Sequence, residues 1–268
     1  MFLLVKFNVD ISAMEIIILG SGSSIGVPVI GCGCKTCISD DPRNKRSRAS
    51  IIIKWNDYNL LVDTSPDLWM QAINNGIKQV DAVIFTHEHA DHIAGIDNLR
   101  SFNFLKDGPI DIYGCHRTLD YIEQNYSYCF APMKSNAWYK PYLISHRQKH
   151  GDVIRLGGKD IGLFLLNHGG IDIFGLRIDK TAYTTDLKMI PEESSSFLED
   201  LDLWIIDCLK YETSPGHLSL DEALALIAKY KPRKAVLCHL AHELEYSSVQ
   251  SQVPSNVQVA FDGLALHV

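Results

Sequence analysis

The chain has 268 residues, 46% of them hydrophobic and 21% charged, with a mean hydropathy of zero. That composition excludes wholesale disorder and collagen-like repeats, and no apolar run approaches the ~20 residues that a membrane span needs. With 25 basic against 32 acidic side chains the net charge is −7, which weighs against a protein that wraps a long stretch of nucleic acid.

Met1–Ala13 is interrupted by Lys6 and Asp10. It makes a poor signal peptide and is expected to be an extension outside the core fold, with the protein in the cytoplasm. From Met14 onward, short apolar runs bounded by turn residues predict strands at Ile16–Leu19, Ser50–Ile53, Asn59–Val62, Ala82–Phe85 and Ile110–Tyr113. Further runs at Ile161–Leu166, Ala182–Thr184, Leu203–Asp207 and Ala235–Cys238 continue the series, several of them apolar enough to be buried on both faces. Helices are predicted at Asp67–Asn75, ended by Gly76, and at Asp91–Leu99. The clearest helix is Ser219–Tyr230, where Leu220, Ala223, Leu224 and Ile227 share one face and Ser219 with Glu222 forms a capping-box pair. Strands and helices without strict alternation predict an α/β fold with extensive sheets, in one domain over residues 14–268.

The chemistry concentrates at strand ends. His87, His89, Asp91 and His92 fall within six residues directly after the run Ala82–Phe85, and imidazole with carboxylate suits zinc, manganese or iron. His168, Asp186 and His239 each follow a predicted strand, as expected where several strands converge on one site. A second group, Cys32, Cys34 and Cys37 in Gly31-Cys32-Gly33-Cys34-Lys35-Thr36-Cys37, supplies three corners of a tetrahedron for a structural zinc, with His242 the candidate fourth ligand. An odd count of seven cysteines argues against a disulfide framework. Cys115, Cys129, Cys208 and Cys238 are expected to be buried small apolar residues.

These residues resemble the metallo-β-lactamase superfamily, whose members are four-layer αββα sandwiches of two mixed sheets with two metals between them. The resemblance implies that His87, His89 and His168 hold one metal, that Asp91, His92 and His239 hold the other, and that Asp186 bridges them. It also implies that Asp63 orients a ligand. A bridging carboxylate favours phosphodiesters over β-lactams, because two close metals neutralise charge building at phosphorus. The runs Gly20–Pro28 and Asp41–Arg46, with the cysteine cluster, Gly216–Leu224 and Cys238–Glu243, are similar to the phosphoribosyl cyclic phosphodiesterases of the carbon–phosphorus lyase pathway. That branch implies a structural zinc and a manganese or zinc pair. It also implies that His217 is an active-site histidine which protonates the leaving oxygen. Asp91 and His217 are thus the candidate catalytic residues. Trp69 and Gly216 depart from the arginine and threonine more usual in that branch, which leaves the substrate open.

Arg43 and Arg46 lie in a basic run that reads either as a phosphate-facing loop or as salt bridges fixing the cysteine cluster. Ser21 and Ser23 sit in a glycine-rich loop able to offer N–H groups to an anion. The expected reaction is hydrolysis of a small cyclic or nucleotide-like phosphate ester, with no membrane partner and a homodimer as the assembly. Rival readings are tRNA 3′-end processing, for which no long basic insertion is present, thioester or lactone hydrolysis, and a metal-binding sensor without turnover.

Overall fold

The structure is a computed structural model that describes residues 14–132 and 139–268; the expected extension Met1–Ala13 lies outside the described residues. In chain order the first half contains β1 (Met14–Gly20), β2 (Ser50–Trp55), β3 (Tyr58–Val62), α1 (Leu68–Asn74), β4 (Ala82–Ile84) and α2 (Ala90–Ile93). It continues with α3 (Leu99–Lys106), β5 (Ile110–Cys115), α4 (His116–Asn125) and β6 (Leu143–Gln148). The second half contains β7 (Val153–Leu156), β8 (Lys159–His168), β9 (Ile171–Ile178), β10 (Thr181–Thr184), β11 (Leu203–Asp207) and α5 (Leu220–Tyr230). After these come β12 (Lys234–Cys238), α6 (Tyr246–Gln250), β13 (Val257–Val259) and β14 (Ala265–His267).

Two seven-stranded sheets result, ordered β14-β1-β2-β3-β4-β5-β6 and β13-β12-β11-β10-β9-β8-β7. Each is mixed. In the first, antiparallel pairing joins β14 through β3 and parallel pairing joins β3 through β6. In the second, β7 through β10 are antiparallel and β10 through β13 are parallel. The period-2 pleat explains the layers. Along β1, Ile16 and Ile18 join the core shared with Phe164, Phe174 and Ile205 of the second sheet. The intervening Ile17 and Leu19 pack on the opposite face with Leu68, Leu99 and Phe102 from α1 and α3. Helix, sheet, sheet and helix thus stack as the four-layer αββα metallo-β-lactamase fold.

Every predicted strand is present within two residues at either end. The stretch predicted as one helix over Asp91–Leu99 is instead divided into α2, a 3-10 turn at Ile96–Asn98, and α3. The reason is local: Gly95 N–H donates to the Thr64 carbonyl, and a Cβ on Gly95 would lie 1.9 Å from the Ser65 carbonyl oxygen. The chain therefore presses against the loop after β3 and cannot continue a regular helix there. Among the described residues, no helix is long and apolar enough to cross a membrane.

Candidate metal centre

The ends of five strands, β3, β4, β8, β10 and β12, build the site, and three of its residues adopt left-handed backbone. Asp63 follows β3 at φ 62°, Asp186 follows β10 by two residues at φ 52°, and His239 follows β12 at φ 62°. Non-glycine residues in this region carry roughly 1–3 kcal/mol of strain each, and here each turns its side chain off a sheet edge toward one point.

The hydrogen bonds decide the histidine tautomers. Asp63, fully buried, accepts from the Thr86 N–H and from the Thr86 hydroxyl, both at 2.8 Å, and from His92 Nδ1 at 2.7 Å. With the Thr86 hydroxyl donating to Asp63, His87 Nδ1 donates to Thr86 Oγ1 at 3.0 Å. His168 Nδ1 donates to the Gly216 carbonyl at 2.6 Å. In all three rings Nε2 is left with its lone pair free, which is the arrangement a metal requires.

The ligand atoms then fall into groups. His87, His89 and His168 form one, and Asp91, His92, Asp186 and His239 form another, with the atoms of each group within 4.8 Å of one another. Asp186 reaches toward both: its carboxylate oxygens lie 3.1 Å from His92 Nε2, 3.4 Å from His239 Nε2 and 3.9 Å from His168 Nε2. His87 Nε2, His92 Nε2 and His239 Nε2 are buried without a hydrogen-bond partner. Since Nδ1 of His92 already carries its proton, an acceptor nitrogen faces two carboxylates, with Asp91 Oδ2 at 3.2 Å. Either a second proton on the ring or a bound metal cation resolves that contact. The donor set therefore fits divalent metal ions at both groups.

Electrostatics in the metal-free protein agree. Burial, aided by the neighbouring His92, holds His87 well below the ordinary histidine range, so it stays neutral. Burial opposes charge on His92 as well, but Asp186, Asp63 and Asp91 overrule it and raise that ring well above its ordinary value. His239 is pushed up to about 9 against burial, by Asp186, Asp91 and Asp207. Burial would raise Asp91 and Asp186, yet the surrounding imidazoles hold both carboxyls well below the usual range.

Beside the metal groups stands a dyad. His217 Nδ1 lies 3.2 Å from Asp207 Oδ1, and its ring stacks on His239 with centroids 4.8 Å apart. Asp207, fully buried, also accepts from the Asp186 and Leu218 N–H groups at 3.2 and 2.9 Å. Sequence reasoning treated Asp207 only as the end of a strand. The available signal was an acid closing the otherwise apolar run Leu203–Asp207. Gly216, which departs from the more usual threonine, has a physical reason here: a Cβ would sit 2.9 Å from His168 Cε1.

The structure brings Cys32, Cys34, Cys37 and His242 together, with the three Sγ atoms 3.4, 3.3 and 3.6 Å from His242 Nδ1. Hydrogen bonds from the Cys37 N–H and His242 lower the Cys34 thiol to about 6, while burial raises Cys37 to about 11. Cys115 is half-buried, not buried as expected, because its sulfur sits against Thr118 Oγ1 at the start of α4.

The residues expected to contact phosphate have partners within the protein. Ser21 gives its N–H and hydroxyl to Asp262 at 2.9 and 2.8 Å. Arg43 pairs with Asp41 at 2.7 Å and lies over the Tyr246 ring. Arg46 is 1% exposed and donates to the Ala241 and Leu244 carbonyls, so it has no face toward a soluble anion. Ser23 is buried, and its N–H donates to the Leu240 carbonyl at 3.2 Å.

Residues 58–240 match the family model described as the beta-lactamase superfamily domain. The chain belongs to the metallo-β-lactamase superfamily. Within it, a diphosphatase from the PhnP family is 33% identical, with a TM-score of 0.89 over 96% of this chain and 97% of that one. The octanoyltransferase of Porphyromonas gingivalis (strain ATCC BAA-308 / W83) is 32% identical over 94% of this chain, which spans only 51% of that protein. The chain spans about half the length, or less, of that octanoyltransferase and of the coenzyme PQQ synthesis protein B and ribonuclease Z relatives, and 87% of the probable metallo-hydrolase YhfI of Bacillus subtilis (strain 168). The Zn(2+)-bound PqqB of Methylobacterium extorquens, 20% identical, shares the metallo-β-lactamase fold with a TM-score of 0.78, over 94% of this chain and 99% of that one.

Proposed function

We propose that the chain is a metal-dependent phosphodiesterase acting on a small cyclic or nucleotide-like phosphate diester, with phosphoribosyl 1,2-cyclic phosphate the first substrate to test. The observation that carries this reading is Asp186, set between the two ligand groups beside the His217–Asp207 dyad. In this reading His87, His89 and His168 would hold one ion, Asp91, His92 and His239 would hold a second, and Asp186 would serve both. Manganese or zinc bound there supplies Lewis acidity and an activated water. Asp63 fixes His92, and the Gly216 carbonyl fixes His168, so that each presents Nε2. The Asp207 carboxylate accepts from His217 Nδ1, and the ring carrying a second proton, on Nε2, would give that proton to the departing alkoxide. The cysteine cluster with His242 holds a structural zinc, and the working assembly is a cytoplasmic homodimer.

Metal analysis paired with turnover of bis(p-nitrophenyl) phosphate in added Mn²⁺ or Zn²⁺ tests this. About three metals per chain with diesterase activity is the expected result; a fully loaded protein inert toward cyclic and linear diesters alike overturns it. The PhnP-family relative is named for a diphosphatase, so a diphosphate diester belongs in the same panel. A second reading is acyl ester or thioester hydrolysis. It is favoured by the curated relative named octanoyltransferase, in which a segment like this chain makes up only part of a longer protein. An octanoyl thioester turned over faster than any phosphate diester selects it.

A further inference from the structure

Arg46 presents a problem that the proposed chemistry does not absorb. It is among the largest fully buried side chains, 1% exposed, and a buried guanidinium is costly unless its donors are satisfied. Burial pulls it down to about 10, with Asp262 and Glu245 opposing. Its Nε has no partner, Nη2 reaches Asn44 Oδ1 at 3.4 Å, and the shorter bonds of both terminal nitrogens go to backbone. Nη1 donates to the Ala241 carbonyl at 3.0 Å and Nη2 to the Leu244 carbonyl at 2.6 Å. Those two carbonyls flank His242, a member of the cysteine cluster, and Ala241 stands two residues after His239 of the His/Asp group.

The backbone of Arg46 completes the junction. It exchanges hydrogen bonds with Val27 at 2.7 and 2.8 Å, on the loop that goes on to Cys32, Cys34 and Cys37. The next-but-one residue, Asn44, accepts from the Tyr246 N–H at 2.9 Å and donates to Glu245 at 3.0 Å. Lys45 Nζ reaches the Cys37 carbonyl at 3.3 Å. One turn, residues 239–244, thus carries a histidine for each metal group, and one buried side chain holds that turn from inside.

We propose that Arg46 is a positioning residue that couples the two metal centres, by clamping the turn that offers His239 to one and His242 to the other. The inference rests on the dimetal reading above for the identity of the His/Asp centre, but it concerns metal retention and needs no substrate. A planar fork with two terminal nitrogens holds two carbonyls at a fixed spacing, a geometry that the single nitrogen of a lysine does not reproduce.

The test uses the full chain loaded with cobalt(II). The thiolate-to-cobalt absorption reports the cysteine centre, and total cobalt released to excess chelator reports both. Arg46→Met, which keeps the length and loses both donors, is expected to release metal from both centres about tenfold faster, the usual scale for groups that orient ligands. Adding His242→Ala to Arg46→Met is expected to give no further acceleration at the His/Asp centre, because both changes free the same turn. Arg155→Ala, at an exposed position on β7, is the unchanged control.

Acceleration confined to one centre, or full additivity of the two changes, overturns the proposal. A merely structural role lowers the melting temperature of the variant and leaves its cobalt spectrum and release rates native below the transition. Should Arg46→Met not fold, Arg46→Lys is read the same way, since it retains the charge and replaces the fixed fork by a single nitrogen. Failure of the dimetal reading appears in the wild type, as metal held only by the cysteines; failure of the clamp appears only in the variants.

Discussion

Asp63, Asp186 and His239 share a backbone conformation that side chains with a Cβ rarely adopt, and all three sit at the site. No periodicity in the chain marks them, whereas His87, His89, Asp91 and His92 are legible because they are contiguous. Arg46 was misread for the converse reason: a basic run looks solvated until the fold buries one member of it. Asp207 carries a prediction. Asp207→Asn keeps the volume but offers His217 Nδ1 a neutral partner, and is expected to lower kcat on a phosphate diester about a hundredfold at saturating metal. An unchanged kcat there would remove the dyad from the chemistry. Gly216→Ala carries another. Its Cβ must displace an imidazole pinned at 2.6 Å to the Gly216 carbonyl itself, so metal affinity by calorimetry is expected to fall at least about tenfold.

Among elements, α5 is the one read most completely from sequence. Its capping box is present, with Ser219 Oγ accepting from the Glu222 N–H at 3.2 Å and Glu222 accepting from the Ser219 N–H at 2.8 Å. The helix begins three residues after His217, and Lys188 Nζ ties the His217 carbonyl and Glu222 together at 3.3 and 2.7 Å. Ser219→Ala is expected to cost about 1 kcal/mol in urea unfolding and to slacken this approach to the site. Strands β6, β7, β9, β13 and β14 escaped the sequence reading. β6 alternates weakly and is mostly half-exposed, β9 contains Gly175, and β13 and β14 are three residues each. Short edge strands gain their identity from a neighbour's hydrogen bonds, which local pattern does not contain.

Across the whole molecule, the site lies where loops from both sheets meet, so metal there bridges the two halves of the sandwich. Removing metal with a chelator is expected to lower Tm, since ions bound only by the folded chain stabilise it by mass action. The pH dependence has a definite sign. In the metal-free protein His239 is raised from its ordinary 6.5 to about 9, so its charged pairing with Asp186, Asp91 and Asp207 stabilises the fold fully below pH 6.5. That contribution is lost as pH rises through 9. Metal must displace the same proton. The gap in Tm between loaded and metal-free protein is therefore expected to widen from pH 6.5 to pH 9, as scanning calorimetry would read; a gap that narrows would mean that His239 enters the site neutral.

Sequence alone determined most of the central strands and the ligand types, because burial pattern and metal chemistry are written in local residue order; the four-layer stacking was implied only by the family resemblance. His242 was also within reach, as a ligand-type residue three positions after His239. The tertiary structure decided which donors meet. It placed Asp207 behind His217, fixed each histidine's tautomer through Thr86, Asp63 and the Gly216 carbonyl, and closed Ser21 and Arg46 into the interior. Those outcomes depend on contacts between segments up to 241 residues apart, as Ser21 and Asp262 are, and a chain's local pattern holds no record of what it will fold against.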